Sequence, residues 1–164
     1  MPEKETTNED QIAVLCDLPE KGRLIGLDPG LSFIGIAVSD ASQTIASPVR
    51  TIVRTSWKKT LMAIRDIVAE FDAVGVVIGL PYNFDGTESA MSAAVRDEAR
   101  KLSLSLSIPV ILQDERLTSY EARKRLWERG VSTKATKSKV DAEAASIILE
   151  DLLDRLRSIR SLSK

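Results

Sequence analysis

The chain has 164 residues, of which 43% are hydrophobic and 29% are charged, so its composition is that of one globular domain. It contains no histidine and one cysteine, which excludes Ser-His-Asp and Cys-His hydrolases, His-ligated zinc sites and intrachain disulfides. Its longest apolar run, residues 73–81, is shorter than the roughly 18–20 residues that a membrane helix needs. Hydrolytic chemistry would therefore depend on carboxylates, hydroxyls, lysines or a metal bound through oxygen.

The net charge of −1 conceals an uneven distribution of charge along the chain. Residues 1–22 carry six acids against two lysines and show no periodicity. We therefore expect a mobile acidic extension over 1–22 and a single domain over 23–164. Residues 116–139 carry eight basic residues against two acids. Such a block is either a solvated helix face or a surface that contacts phosphates.

The first part of the domain predicts three strands in an antiparallel meander, over residues 23–28, 34–40 and 44–53. Pro29-Gly30 is a turn signal after the first strand, and Pro48 predicts a break or an exposed edge in the third.

The rest of the chain alternates helices with buried strands. Strands are predicted over residues 74–80 and 108–112, and helices over 56–71, 85–106, 118–130 and 138–157. The helix starts rest on an N-cap at Ser56 and on capping patterns at Asp85/Glu88 and Thr118/Glu121. This order predicts an α/β fold, a mixed five-stranded sheet with helices on both faces. Sites in such sheets form beyond the carboxyl ends of strands.

Three acids occupy positions expected to face that site. Asp28 ends the first strand, Glu115 follows the last one, and Asp141 begins an apolar helical stripe. Three carboxylates with no histidine are typical of a site for Mg²⁺ or Mn²⁺, and two such ions could support phosphodiester hydrolysis.

Each acid also has a structural interpretation. Asp28 before Pro-Gly is an ordinary turn residue, and Glu115 can simply pair with Arg116. Ser138 and Asp141 match a helix capping box. Asn83, in the loop after the fourth strand, belongs to a tight turn or lines the cleft.

Several segments resemble the YqgF (RuvX) family and occur in the family's order. They are RLIGLDPG (23–30), IGIAVSD (34–40), VIGLP (77–81) with DG (85–86), DERLT (114–118) and VDAEAA (140–145). The resemblance covers roughly residues 23–154. It implies a ribonuclease H-like fold, related to RuvC-type Holliday junction resolvases, and a nuclease that matures pre-16S rRNA in the bacterial cytoplasm with Mg²⁺ or Mn²⁺. The family's three acids correspond to Asp28, Glu115 and Asp141.

Two departures from the family pattern remove positive charge. Leu31-Ser32-Phe33 stands where the family often has Thr-Lys-Arg, and Ala142 stands where it often has lysine. The expected activity is a metal-dependent nuclease acting on structured RNA, with Asn83, Arg116 and Lys137 contacting nucleic acid. Branched DNA cut by a homodimeric resolvase and a non-catalytic binding module are the alternatives. A monomer and a homodimer both remain open, and no membrane partner is expected.

Overall fold

The computed structural model describes residues 15–81, 89–114 and 134–164, with side chains in the last range from residue 139 onward. Within these ranges the chain forms five strands and three helices. They are β1 (Leu24–Pro29), β2 (Phe33–Ser39), β3 (Ala46–Val53), α1 (Trp57–Glu70), β4 (Gly75–Leu80), α2 (Ala90–Ser105), β5 (Val110–Asp114) and α3 (Lys134–Leu162).

The five strands form one mixed sheet in the order β3-β2-β1-β4-β5. The meander β1-β2-β3 is antiparallel, whereas β4 pairs parallel with both β1 and β5. Strand β3 lies at the edge of the sheet, where a proline without a backbone N–H is tolerated. Pro48 pairs with Ala37, next to a register shift between Ile36 and Ala37. The predicted sheet is confirmed, including the exposed position of its third strand.

Helices cover both faces of the sheet. On one face, Ile148, Leu149 and Leu152 of α3 join a core cluster with Leu24 and Val77 of the sheet. On the other face, α1 and α2 contribute to a second cluster with the alternate residues of the same strands. Strands β1 and β4 are therefore buried along their whole length, as their continuous apolar runs predict. No helix in the described part of the chain is long and apolar enough to cross a membrane.

The helix starts differ in part from the predicted ones. Ser56 caps α1 as predicted, accepting a hydrogen bond from the Lys59 N–H. The cap of α2 is Ser89 and not Asp85, because Ser89 and Ser92 cap each other reciprocally, with the Ser92 hydroxyl taking the place expected for a glutamate. The predicted helix over 118–130 lies outside the described residues.

The segment before β1 packs against the domain. Leu15 and Leu18 are buried in the α3 cluster. Gln43 donates from Nε2 to the carbonyl oxygens of Pro19 and Gly22, at 2.8 and 3.0 Å, and accepts from Arg160 of α3. The packed domain thus begins before residue 23, whereas the first fourteen residues of the expected acidic extension lie outside the described part.

Candidate active site

Asp28 lies near the carboxyl end of β1 and faces α3. It is only 8% exposed and pairs with Gly35 of the antiparallel β2. Gly26, two residues earlier, identifies this face of the strand. A β-carbon there would lie 3.0 Å from the Ala145 carbonyl oxygen and 3.1 Å from Leu149 Cβ, both in α3. Residues two apart on a strand point the same way, so Asp28 projects toward α3 as well.

Gly35 brings α3 into direct contact with the sheet at this point. A β-carbon on Gly35 would lie 1.9 Å from the carbonyl oxygen of Asp141 and 2.3 Å from its carbonyl carbon. Such a contact is open only to glycine, since any larger residue would overlap the helix backbone. Gly35 is also the strand partner of Asp28, so the backbone of each acid adjoins this glycine. The structure thus brings Asp28 and Asp141 to the same end and the same face of the sheet.

The position of Asp141 within α3 excludes the capping interpretation. The structure describes α3 from Lys134, so Ser138 and Asp141 both lie inside the helix and not at its first turn. A residue two turns into a helix has no free backbone N–H to cap. Asp141 is partly buried, and the small residues after it, Ala144 and Ala145, are fully buried as the predicted stripe requires. The capping prediction is wrong because the helix extends further toward the N-terminus than the Ser-x-x-Asp pattern suggests.

The carboxyl ends of β1, β4 and β5 meet at one edge of the sheet. Leu27 pairs with Ile78 and Ile78 with Leu112, while Leu80 pairs with Asp114, the last residue of β5. Side-chain alternation places Asp114 on the face covered by α1 and α2. Gln113, the preceding residue, lies on the face of Asp28, where its Oε1 accepts a hydrogen bond of 2.6 Å from Arg155 of α3.

Four of the predicted site residues fall outside the described part of the chain. They are Asn83, Glu115, Arg116 and, for its side chain, Lys137. Within the described residues, no group of three or more His, Cys, Asp or Glu side chains is arranged to hold a metal ion. The two acids that the structure does bring together offer only carboxylate oxygens, which suit Mg²⁺ or Mn²⁺ and are poor ligands for a zinc site. The donor chemistry fits a hard divalent cation.

The two departures from the family pattern have different structural settings. Leu31, in the β1–β2 turn, is 82% exposed, so an apolar side chain lies on the surface close to Asp28. Ala142, beside Asp141 on α3, is only 6% exposed and contributes to packing. Leu31 takes the place of the family's threonine, so the positive charges are lost at Ser32 and Phe33 of this turn and at Ala142.

Sequence reasoning did not identify Gly35, Arg54 or Glu98 as residues of this region. Arg54 follows β3, forms an ion pair with Glu98 of α2, and donates from Nε to the Gly30 carbonyl oxygen at 3.0 Å. The only sequence signal for Gly35 is a glycine inside a β-branched run, which is typical of a close backbone approach. No local pattern marks the Arg54–Glu98 pair.

Comparison with known proteins shows to which family the chain belongs. The sequence matches the model of the family described as RuvX, Holliday junction resolvase, over residues 22–155. The chain belongs to the RuvX family. A relative from Anaeromyxobacter dehalogenans, named "Putative pre-16S rRNA nuclease", is 43% identical over 133 residues, which are 81% of this chain and 97% of the relative. A relative of the same name from Cereibacter sphaeroides is 43% identical over 142 residues, covering 87% and 89% of the two chains.

Solved structures agree on the fold. Thermus thermophilus RuvC, in complex with a Holliday junction substrate, superimposes with a TM-score of 0.53 at 15% identity, covering 84% of this chain and 97% of the other. The yeast mitochondrial Holliday junction resolvase has a TM-score of 0.56 at 9% identity, with 94% and 87% covered. The ribonuclease H-like fold and the assignment of this RuvX-family chain as a nuclease are confirmed.

Proposed function

We propose that this RuvX-family nuclease cleaves structured RNA in a metal-dependent reaction, and that its substrate is the 5′ end of pre-16S rRNA. The observation that carries the proposal is the contact of Gly35 with the Asp141 backbone, which sets Asp141 beside the strand pair that holds Asp28. Asp28 and Asp141 are far apart in the sequence, and the backbone of each adjoins Gly35. Carboxylates gathered at one strand end are typical ligands of a hard divalent cation.

The metal ligands in this proposal are Asp28, Glu115 and Asp141. A bound Mg²⁺ or Mn²⁺ pair supplies an activated water and stabilises the departing oxygen in phosphodiester hydrolysis. Asp28 and Asp141 belong to β1 and α3, and Glu115 follows β5 in the sequence, so the proposed oxygen ligands come from three separate segments. We assign the third position to Glu115 rather than Asp114, because Asp114 lies on the opposite face of the sheet from Asp28.

Binding of the nucleic acid is assigned to the basic block and to the loop after β4. Arg116 and Lys137 would contact backbone phosphates, and Asn83 would line the cleft. The block of eight basic residues over 116–139 supports this role through its charge. We expect a cytoplasmic enzyme, consistent with a ribosomal RNA substrate.

RNA is favoured as substrate by the names of the curated relatives, which are pre-16S rRNA nucleases. Branched DNA is the second candidate, because the family model carries the description of a Holliday junction resolvase. Paired cuts across a junction need two active sites related by symmetry, so this alternative requires a homodimer. A non-catalytic RNA-binding module is the third possibility, since Ser32 and Phe33 stand where the family often has lysine and arginine, which removes positive charge near Asp28.

The test compares cleavage of end-labelled precursor rRNA and of a four-way DNA junction by the full chain. Each substrate is incubated with Mn²⁺, Mg²⁺ or EDTA. The Asp28→Asn variant removes one proposed ligand, and Asp66→Asn, an exposed carboxylate on α1, is the matched control. We expect metal-dependent RNA cleavage in the wild type and in Asp66→Asn, and none in Asp28→Asn. Cleavage of the junction alone would move the assignment to DNA, and tight RNA binding without cleavage would favour the binding module.

A further inference from the structure

The turn that follows Asp28 is held in place by an arginine from the end of β3. Arg54 comes directly after β3, and its backbone N–H donates to the Ser32 carbonyl oxygen at 2.8 Å. Its side-chain Nε donates to the Gly30 carbonyl oxygen at 3.0 Å. Gly30 in turn donates from its N–H to the Phe33 carbonyl oxygen at 2.8 Å. Two of these three hydrogen bonds thus come from Arg54.

The guanidinium of Arg54 is itself held by Glu98 of α2. Both terminal nitrogens face the carboxylate, Nη1 toward Oε1 and Nη2 toward Oε2. The two side chains are 22% and 21% exposed, so water and salt screen this pair less than an exposed one. Because the guanidinium is a rigid planar fork, fixing its two terminal nitrogens also fixes the direction of Nε. Glu98 thereby aims Arg54 at the Gly30 carbonyl.

The turn is connected to Asp28 through a single residue. Pro29 separates Asp28 from Gly30, and its ring fixes one of the few backbone dihedral angles between the turn and Asp28. We infer that Arg54, held by Glu98, is a positioning residue that fixes the Asp28 carboxylate for a divalent cation. The inference rests on the proposed function, in which Asp28 is a metal ligand.

A matched pair exists on the same strand and provides the control. Arg50 of β3 forms a two-pronged pair with Glu70 of α1, at 3.2 and 2.5 Å, and this pair also joins the sheet to a helix. Arg50→Ala therefore removes an ion pair of the same two-pronged kind, more exposed at 44% and 47%, away from the turn. Arg54→Ala removes the pair with Glu98 together with the side-chain contact to Gly30.

Mn²⁺ binding is measured first, in the absence of nucleic acid, from the electron paramagnetic resonance signal of free Mn²⁺. We expect Arg54→Ala to weaken Mn²⁺ binding about tenfold, which is the lower end of the usual effect of residues that orient metal ligands. In cleavage of end-labelled precursor rRNA at saturating Mn²⁺, kcat should fall about tenfold to hundredfold. KM for the RNA should stay at the wild-type value. Arg50→Ala should leave all three quantities unchanged.

Two milder variants protect the test against a folding defect. Arg54→Lys keeps the charge toward Glu98 but lacks the Nε of the fork, and Glu98→Gln keeps a hydrogen-bond acceptor but loses the charge. We expect both to have intermediate Mn²⁺ affinity, with Arg54→Lys closer to Arg54→Ala. Urea unfolding of every variant shows which of them are folded. If Arg54→Ala is not folded, the Mn²⁺ affinities of Arg54→Lys and Glu98→Gln test the positioning role instead.

Several outcomes would overturn the inference. Wild-type Mn²⁺ affinity in the folded Arg54 variants would do so, and so would an equal loss of affinity in Arg50→Ala, since any lost ion pair would then have the same effect. A change confined to KM for the RNA would make Arg54 a substrate contact. Asp28→Asn distinguishes failure of the proposed metal site from failure of the positioning role. Unchanged Mn²⁺ binding in that variant refutes the proposed metal site itself. Lost binding in Asp28→Asn beside wild-type binding in Arg54→Ala refutes only the positioning role.

Discussion

Asp28 and Gly35 are partners across the antiparallel strands β1 and β2, and the acid projects to the side on which the glycine meets α3. The glycine has no side chain to keep the helix away, so the backbone of Asp141 lies directly against it. The close approach of α3 to β2 at this position therefore requires that residue 35 carry a hydrogen atom in place of a β-carbon. Packing of the domain and assembly of the acidic site depend on the same contact.

Gly35→Ala should consequently impair both stability and activity. The new methyl group would meet the Asp141 carbonyl oxygen at 1.9 Å, so α3 must shift away from β2. We expect a loss of about 2 kcal/mol or more in the free energy of unfolding, as for other overpacked sites, and a severe loss of metal-dependent cleavage. Gly26→Ala is the graded control, because its contacts at 3.0 and 3.1 Å require a much smaller shift. Urea unfolding and cleavage assays on both variants measure this order, and equal effects would contradict it.

Asp141→Asn should abolish cleavage while the fold is retained. The substitution conserves volume but removes the charge that a hard cation needs. Since Asp141 lies two turns inside α3 and asparagine has nearly the same volume, we expect the free energy of unfolding to change by no more than about 1 kcal/mol. Cleavage of precursor rRNA with Mn²⁺, beside far-ultraviolet circular dichroism, checks both parts. The matched control is Asp154→Asn, an exposed acid further along the same helix. Full activity in Asp141→Asn would remove this residue from the proposed ligand set.

The sequence was sufficient to predict a mixed five-stranded sheet, because each strand has a recognisable local pattern. Period-two and continuously apolar runs identify the five strands, and Pro48 identifies the edge. The same reasoning placed Asp28 at a strand end and Asp141 on the buried stripe of the last helix. For Asn83, Glu115, Arg116 and Lys137 the assigned roles stay predictions.

What the sequence could not supply are contacts between residues far apart in the chain. Arg54 and Glu98 are separated by 44 positions, and no spacing rule connects them. Ser138 and Asp141 mimic a capping box because the pattern is short, whereas the true extent of α3 depends on packing along the sheet. The burial of Leu15 and Leu18 was not predicted, because two apolar side chains are too few to give a detectable hydrophobic periodicity.

Stability at low pH should depend on Asp40, in the turn between β2 and β3. Hydrogen bonds from the Ile45 N–H, the Ser42 hydroxyl and the Thr44 N–H lower the pKa of Asp40 from 3.8 to about 2. The folded state therefore favours the ionised carboxylate. This contribution is fully present above the unfolded pKa of 3.8 and is lost as the pH falls toward about 2.

Asp40→Asn tests this dependence, because the amide keeps one acceptor oxygen but cannot titrate. We expect the wild type to be more stable than Asp40→Asn at pH 6, and the difference to shrink between pH 4 and pH 2.5, where Asp40 becomes protonated in the unfolded chain. Urea unfolding across this range measures the difference, with Asp66→Asn as the control. A difference independent of pH would show that the turn is stabilised by shape and not by charge. Some acid sensitivity will remain, since Arg50 lowers the pKa of Glu70 and Arg100 lowers that of Asp97.

The amino-terminal boundary of the domain can be located by truncation. Leu15 and Leu18 are 2% and 4% exposed in the α3 cluster, and Pro19 and Gly22 provide the acceptors for Gln43. Removing residues 1–22 should therefore cost about 3 kcal/mol or more in the free energy of unfolding, given that one buried leucine is worth about 2–5 kcal/mol. Removing residues 1–14 keeps all of these contacts and should cost much less. Urea unfolding of the two truncations compares them directly, with Leu18→Ala as a point variant of intermediate effect. Equal stability of the two truncated chains would place the boundary at residue 23 after all, because Leu15 and Leu18 would then contribute nothing to the core.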